Sequence, residues 1–272
     1  MNETPEKFID IREVIRKKNP KLLRMLPGFV VSYLTRLIHQ DEVNRIIYDY
    51  RDQYGLDFVR SILKDMDVTY SIEGLEDVPK DGRYIFVSNH PLGGFDGLVL
   101  MDAIGSVFPD IRFIVNDLLL NLKNFEPIFV PVNKHGRQSA DYARKIDEIY
   151  SSDAQILNFP AGLCSRRTKG EIIDPKWNKS FVQKAIQYQR DIVPIYFEGR
   201  NSNFFYNLAN IRKSLGVKAN IEMTFLVDEF FKQKGRHLRL TVGEVIPYAT
   251  FDPSKSYIQW ADELKDKVYA MR

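Results

Sequence analysis

His90 and Asp96, six positions apart, are of the types needed to move a proton near neutral pH. An imidazole has an ordinary pKa close to neutrality, so it can take up a proton and return it. A carboxylate placed on its other ring nitrogen would orient the ring and stabilise its charged form. That is the orienting half of a catalytic triad, without a nucleophilic serine from the protein. The residues between and around them read Ser88-Asn89-His90-Pro91-Leu92-Gly93-Gly94-Phe95-Asp96-Gly97. The plain alternative is a loop histidine and an aspartate that merely starts the next helix.

The elements that must position this pair flank it directly. Tyr84-Ile85-Phe86-Val87 is a short apolar run of the kind that forms a buried strand. Leu98-Val99-Leu100-Met101 then opens an apolar helix. Reactive side chains gather on such strand-end turns, and two adjacent glycines let the backbone take up dihedrals closed to other residues. Further strand candidates lie at residues 68–72, 111–115, 127–132, 156–159, 192–197 and 238–242. Helical patterns fall between several of them, at 139–150 and 180–189, and a closing amphipathic helix is expected over 253–271. A short apolar helix or lip is expected at 118–122. Strands alternating with helices predict an α/β fold with a mostly parallel central sheet. In such sheets ligands sit beyond the carboxyl ends of the strands, where His90, Arg137, Gly162 and Glu198 all fall.

The 272 residues, 44% of them hydrophobic, suit one α/β domain with a helical appendage. A formal net charge of +3 gives no footprint for nucleic acid, and none is expected as a partner. One cysteine, Cys164, permits no internal disulfide and fits a reducing compartment. With no neighbouring histidine in sequence, it reads as a small buried apolar residue rather than a nucleophile. His39, His135 and His237 form no metal-ligand spacing, so no metal and no cofactor is expected. No stretch approaches the length of a membrane span and no signal peptide is visible, which places the protein in the cytoplasm. Residues 14–40 nevertheless carry Arg16, Lys17, Lys18, Lys21, Arg24 and Arg36 and no acid. Phe29, Tyr33 and Leu37 recur there at helical spacing. A basic flank beside an apolar face is the pattern of a helix lying on anionic lipid. Two regions follow: a helical, membrane-interfacial segment at 1–66 and the α/β domain at 67–272.

Four ordered blocks resemble those of the glycerolipid acyltransferases of the lysophosphatidate acyltransferase type. The first is the turn with Asn89, His90 and Asp96, one residue longer between His and Asp than is usual there. The second is the apolar run at 128–132 followed by Lys134 and Arg137. The third reads Phe159-Pro160-Ala161-Gly162-Leu163-Cys164-Ser165-Arg166-Arg167. Family members typically carry glutamate where Ala161 stands and arginine where Cys164 stands. The fourth is the proline-bearing strand Ile192-Val193-Pro194-Ile195. The run Phe197-Glu198-Gly199-Arg200-Asn201-Ser202 also resembles the acyltransferase part of bacterial ornithine-lipid and related aminolipid synthases.

The resemblance implies direct transfer of a fatty acyl group from a thioester, on acyl carrier protein or coenzyme A as co-substrate, to a lysolipid hydroxyl. His90 would be the general base and Asp96 its partner. Asn89, Gly93, Gly94, Arg137, Phe159, Pro160, Gly162, Arg166, Arg167 and Arg200 would line the substrates. Backbone N–H groups at Gly93, Gly94 or Gly162 would face the oxyanion. Since Ala161 replaces the glutamate of the glycerol-phosphate site, the expected acceptor is a 3-hydroxyacyl amino acid lipid. Arg166 or Arg167 would meet its carboxylate. Alternatives are a 1-acylglycerol-3-phosphate acyltransferase making phosphatidate, a thioesterase using the same histidine on water, and a non-catalytic lipid-binding protein. The enzyme would sit peripherally on the inner face of the cytoplasmic membrane, held by its N-terminal helices.

Overall fold

The computed structural model describes residues 8–116, 122–132 and 140–272. The expected basic loop with Arg137, and most of the expected lip at 118–122, lie outside the described residues. Five helices lead: α1 (Ile11–Lys18), α2 (Pro20–Met25), α3 (Gly28–Leu37), α4 (Gln40–Asp49) and α5 (Gly55–Asp65). The α/β portion then runs β1 (Thr69–Glu73), β2 (Tyr84–Ser88), α6 (Phe95–Gly105), β3 (Ile111–Asn116), β4 (Phe129–Val132), α7 (Ala140–Ser151) and β5 (Gln155–Asn158). A hairpin of β6 (Arg166–Thr168) and β7 (Glu171–Ile173) follows. The chain closes with α8 (Ser180–Tyr188), β8 (Asp191–Glu198), α9 (Asn203–Ser214), α10 (Leu226–Phe231), β9 (His237–Val242) and α11 (Tyr257–Ala270).

Among the described residues the main sheet has seven strands in the order β1-β9-β8-β2-β5-β3-β4. Strands β8, β2, β5, β3 and β4 run parallel, and β9 reverses against β8 with β1 parallel to it. The expected mostly parallel sheet is therefore present, with β1 at its edge as its alternating pattern predicts. Strand β2 is central and buried along its whole length, which is why it reads as an unbroken apolar run. Its two faces enter two cores. Tyr84 and Phe86 pack with Phe58, Val59 and Ile62 of α5 and with α6. Ile85 and Val87 pack with Phe181 and Ala185 of α8 and Ala261, Leu264 and Val268 of α11.

Helix α6 is buried almost all round, so it carries no polar face and its sequence shows little amphipathic periodicity. It starts at the end of the central strand's turn and presents Asp96 in its first turn. Helix α5 shares the core under the sheet, so the helical region up to residue 66 is not packed apart from the α/β portion. Earlier helices are tied on by side chains. Gln40 accepts from the Ile11 N–H, and Asn44 both accepts from the Ile9 N–H and donates to the Ile9 carbonyl. His39 meets Asp228 at 3.1 Å and stacks on Phe231, joining the α3–α4 corner to α10.

The β6–β7 hairpin is not visible in the sequence, because strands of three residues leave no periodic signal. Its turn, Lys169-Gly170, has both residues at positive φ (51° and 89°), the geometry that two-residue hairpin turns favour.

Candidate active site at the end of the central strand

Strand β2 delivers Asn89 and His90 just beyond its carboxyl end. Asn89 is turned inward. Its Nδ2 donates to the Phe197 carbonyl (2.9 Å), and its Oδ1 accepts from the Phe197 N–H (2.7 Å). Both ends of the amide thus extend the β2–β8 pairing. His90 points the other way. Its Nδ1 lies 2.9 Å from Asp96 Oδ2, so the six-residue spacing does close into a pair. Gly93 (φ 73°) and Gly94 (φ 150°) absorb the extra residue in the turn. At Gly93 a Cβ would also fall 2.7 Å from Leu226 Cδ2.

Asp96 is fully buried and its carboxylate is saturated. Oδ2 also accepts from the Leu92 N–H (2.9 Å), and Oδ1 from the N–H groups of Gly94 and Gly97 (both 3.0 Å). Burial opposes its charge, but His90 and these donors hold its pKa below the usual carboxylate value. Burial likewise pulls His90 downward. The Asp96 charge and hydrogen bond more than reverse this, and the imidazole ends above its ordinary pKa. The ring stacks on Phe159 at 4.1 Å between centroids, and Phe159 in turn meets Phe113 edge-on. With 15% of the side chain exposed, His90 offers its second nitrogen from an apolar setting.

A second carboxylate, which the sequence did not single out, anchors the turn from behind. Asp174 is 2% exposed and accepts from the His90 backbone N–H (3.2 Å), Ser165 Oγ (2.6 Å) and Trp177 Nε1 (2.9 Å). Its own N–H donates to the Tyr269 hydroxyl, and its carbonyl accepts from Lys265. The Ser165 N–H closes the arrangement on the His90 carbonyl (2.7 Å). Burial pushes the Asp174 pKa up. The visible signal was a lone acid in the apolar stretch Ile172-Ile173-Asp174-Pro175-Lys176-Trp177.

The third block is divided by the fold. Phe159 stacks on the imidazole. The Pro160 carbonyl accepts from Asn178, and the Gly162 N–H donates to the Phe159 carbonyl. The Gly94 N–H is engaged with Asp96, so neither Gly94 nor Gly162 is placed to face an oxyanion. The Gly93 N–H has no acceptor among the described residues. Arg166 is buried, with Nη2 on Glu222 Oε1 (3.0 Å) and Nη1 on the Cys164 carbonyl (2.7 Å). Arg212 holds the other Glu222 oxygen at 2.8 Å, completing a buried Arg–Glu–Arg triad. The expected acceptor contact therefore does not fall to Arg166. Arg167 bonds Asn207 and Asn203 and lies over the Tyr206 ring, and Arg200 meets the same Asn203 oxygen. Arg200 also lines, with Asn89, Pro91 and Ser165, a cavity of about 790 Å³ beside the turn. Cys164 is buried, which pushes its thiol pKa up to about 11, against a nucleophilic role.

A strand-end turn holding a buried His–Asp pair, in a mostly parallel sheet, fits the family that the four blocks resemble. The acyltransferase family model matches residues 13–272, and the chain belongs to that family; it is an acyltransferase. It is 46% identical over 265 residues to a lyso-glycine lipid O-acyltransferase of Bacteroides thetaiotaomicron, covering 97% of each chain. It is 47% identical over 265 residues to a lyso-glycine lipid O-acyltransferase of Phocaeicola vulgatus, covering 97% of this chain and 95% of that one. The crystal structure of the 1-acyl-sn-glycerophosphate (LPA) acyltransferase PlsC from Thermotoga maritima aligns with a TM-score of 0.48 at 15% identity. The alignment covers 88% of this chain and 95% of that one.

Proposed function

We propose that the chain transfers a fatty acyl group from an acyl thioester to the free hydroxyl of a lysolipid with an amino-acid head group, glycine as in the named relatives. The observation that carries the chemistry is the His90–Asp96 pair. Asp96 has every acceptor position filled and can only hold Nδ1–H, so the other imidazole nitrogen is the one free to take a proton. In the reaction His90 removes the acceptor hydroxyl proton as the oxygen attacks the thioester carbonyl carbon. The developing oxyanion is met by the Gly93 N–H. The C–S bond breaks, and the departing sulfur recovers the proton from His90. Asp96 stabilises the imidazolium in between, and Phe159 keeps water off one face of the ring. No nucleophile from the protein and no metal takes part.

The acceptor follows from the third block. Ala161 and Cys164 stand where a glycerol-phosphate site has its glutamate and arginine, and the nearby Arg166 is committed to Glu222. A carboxylate needs fewer charged partners, and one bidentate arginine serves it. Arg200, exposed and lining a cavity with Asn89 and Pro91 of the turn, is the arginine we assign to it, with Arg167 on the same Asn203 oxygen. The thioester carrier is acyl carrier protein or coenzyme A. The basic, acid-free helices at residues 14–40 rest on the inner face of the cytoplasmic membrane, where such an acceptor is found. Met25, Phe29 and Tyr33 are all exposed there, beside Lys17, Lys21 and Arg24.

The test is a competition between lyso-glycine lipid and lysophosphatidate for one acyl thioester donor. The expected outcome is a higher kcat/KM for the glycine lipid. Preferential acylation of lysophosphatidate would instead favour phosphatidate synthesis and refute the amino-acid head group.

A further inference from the structure

Helix α9 carries apolar residues on its outer face as well as its inner one. Its inner face, Phe205, Ala209 and Arg212, is buried against the fold. Phe204, Leu208, Ile211 and Leu215 recur at the spacing that puts them on one stripe; Phe204, Ile211 and Leu215 are exposed and Leu208 is half-buried. Leu215 is 72% exposed and Ile211 55%. The segment that follows continues the pattern, with Val217 and Ile221 also exposed. A folded chain seldom leaves a contiguous apolar stripe in water without a partner for it.

The exposure is built in. Gly216 (φ 68°) ends the helix with its N–H on the Lys213 carbonyl, and the Val217 N–H returns to the Arg212 carbonyl. Arg212 Nη1 donates to the Val217 carbonyl, and Glu222 fastens the far end of the loop to Arg212 and Arg166. Phe225 meets Phe204 edge-on at 5.0 Å, which extends the apolar surface past the loop. The buried triad thus fixes a loop whose apolar side chains cannot fold back.

Charge names the partner. Between Glu198 and Glu222 there is no acid, and Glu222 is itself buried. The exposed charges of this stretch are Arg200, Lys213 and Lys218. Two copies of the surface would set like charges together. An anionic bilayer offers hydrocarbon for the stripe and phosphate for the lysines. We infer that the outer stripe of α9 and the loop after it, carried by Ile211, Leu215, Val217 and Ile221, form a membrane-docking surface distinct from the N-terminal helices. Helix α9 begins at Asn203, where Arg167 and Arg200 converge, so this surface leads from the lipid toward the proposed head-group arginines. The inference rests on the lysolipid acyltransferase reading only for its purpose, since docking itself is read without substrate.

The experiment uses the full chain and vesicles of phosphatidylcholine with and without phosphatidylglycerol, containing no acceptor. Ile211→Glu with Leu215→Glu is expected to lower partition onto the anionic vesicles about tenfold or more. Transfer to detergent-dispersed acceptor should be kept. In a separate variant, Leu215→Trp, emission should shift to the blue on mixing and be quenched by brominated lipid. Unchanged partition of the double variant, or Leu215→Trp emission indifferent to vesicles, overturns the inference. So does a wild-type dimer in light scattering that the double variant dissolves. Docking by a wild-type chain that acylates no lysolipid would defeat the functional proposal and leave the surface standing.

Discussion

At the scale of single residues the account turns on how Asp96 acts on His90. The carboxylate raises the imidazole pKa and fixes which nitrogen carries the proton. A general base works only unprotonated, so activity must fall as pH drops through the His90 pKa. That acid limb should lie above the ordinary histidine value of about 6.5. In Asp96→Asn the stabilising charge is gone, so the limb of kcat/KM should move to lower pH while kcat falls. A limb that stays in place would detach Asp96 from the imidazole's titration. The pair was legible in the sequence because its members are six positions apart and both belong to one turn. Asp174 was not, since its donors come from residues 90, 165 and 177 and only folding brings them together. The same holds for Glu222, 56 positions from Arg166.

Among the elements, the sheet was legible and the small hairpin was not. Strands β2, β5 and β8 are buried on both faces and leave apolar runs that fix their place. Strands β6 and β7, three residues each, are held by a turn and by the buried triad that links β6 to α9. That link changes what Arg166 does: it is a structural cation, and the sequence offered it as a substrate contact. Removing the acid between two buried guanidinium groups leaves uncompensated charge. Glu222→Ala should therefore lower unfolding stability by about 3–5 kcal/mol, measured by denaturant titration. Replacing Arg166, Arg212 and Glu222 together by apolar residues of similar volume should cost much less. Equal losses in the two variants would mean the triad is not coupled as its geometry requires.

At the scale of the whole molecule, exposed apolar side chains of the described residues gather in the basic, acid-free stretches 14–40 and 199–221. No helix among the described residues is long and apolar enough to cross a membrane. Exposed charge on a lipid surface is screened by salt. Lys21→Glu with Arg24→Glu should weaken partition onto anionic vesicles and flatten its salt dependence, with partition onto neutral vesicles little changed. Partition with the same salt dependence as wild type would remove the N-terminal helices from the contact.

The central claim is that His90 moves the proton, and its most direct test is steady-state acyl transfer by His90→Ala. The variant should keep its fold, by circular dichroism and thermal unfolding, because His90 sits on a turn held through its backbone by Asp174 and Ser165. Its kcat with lyso-glycine lipid should fall by at least ~10²–10⁴-fold, the range for one acid–base group. A folded His90→Ala chain turning over near the wild-type rate would contradict the mechanism.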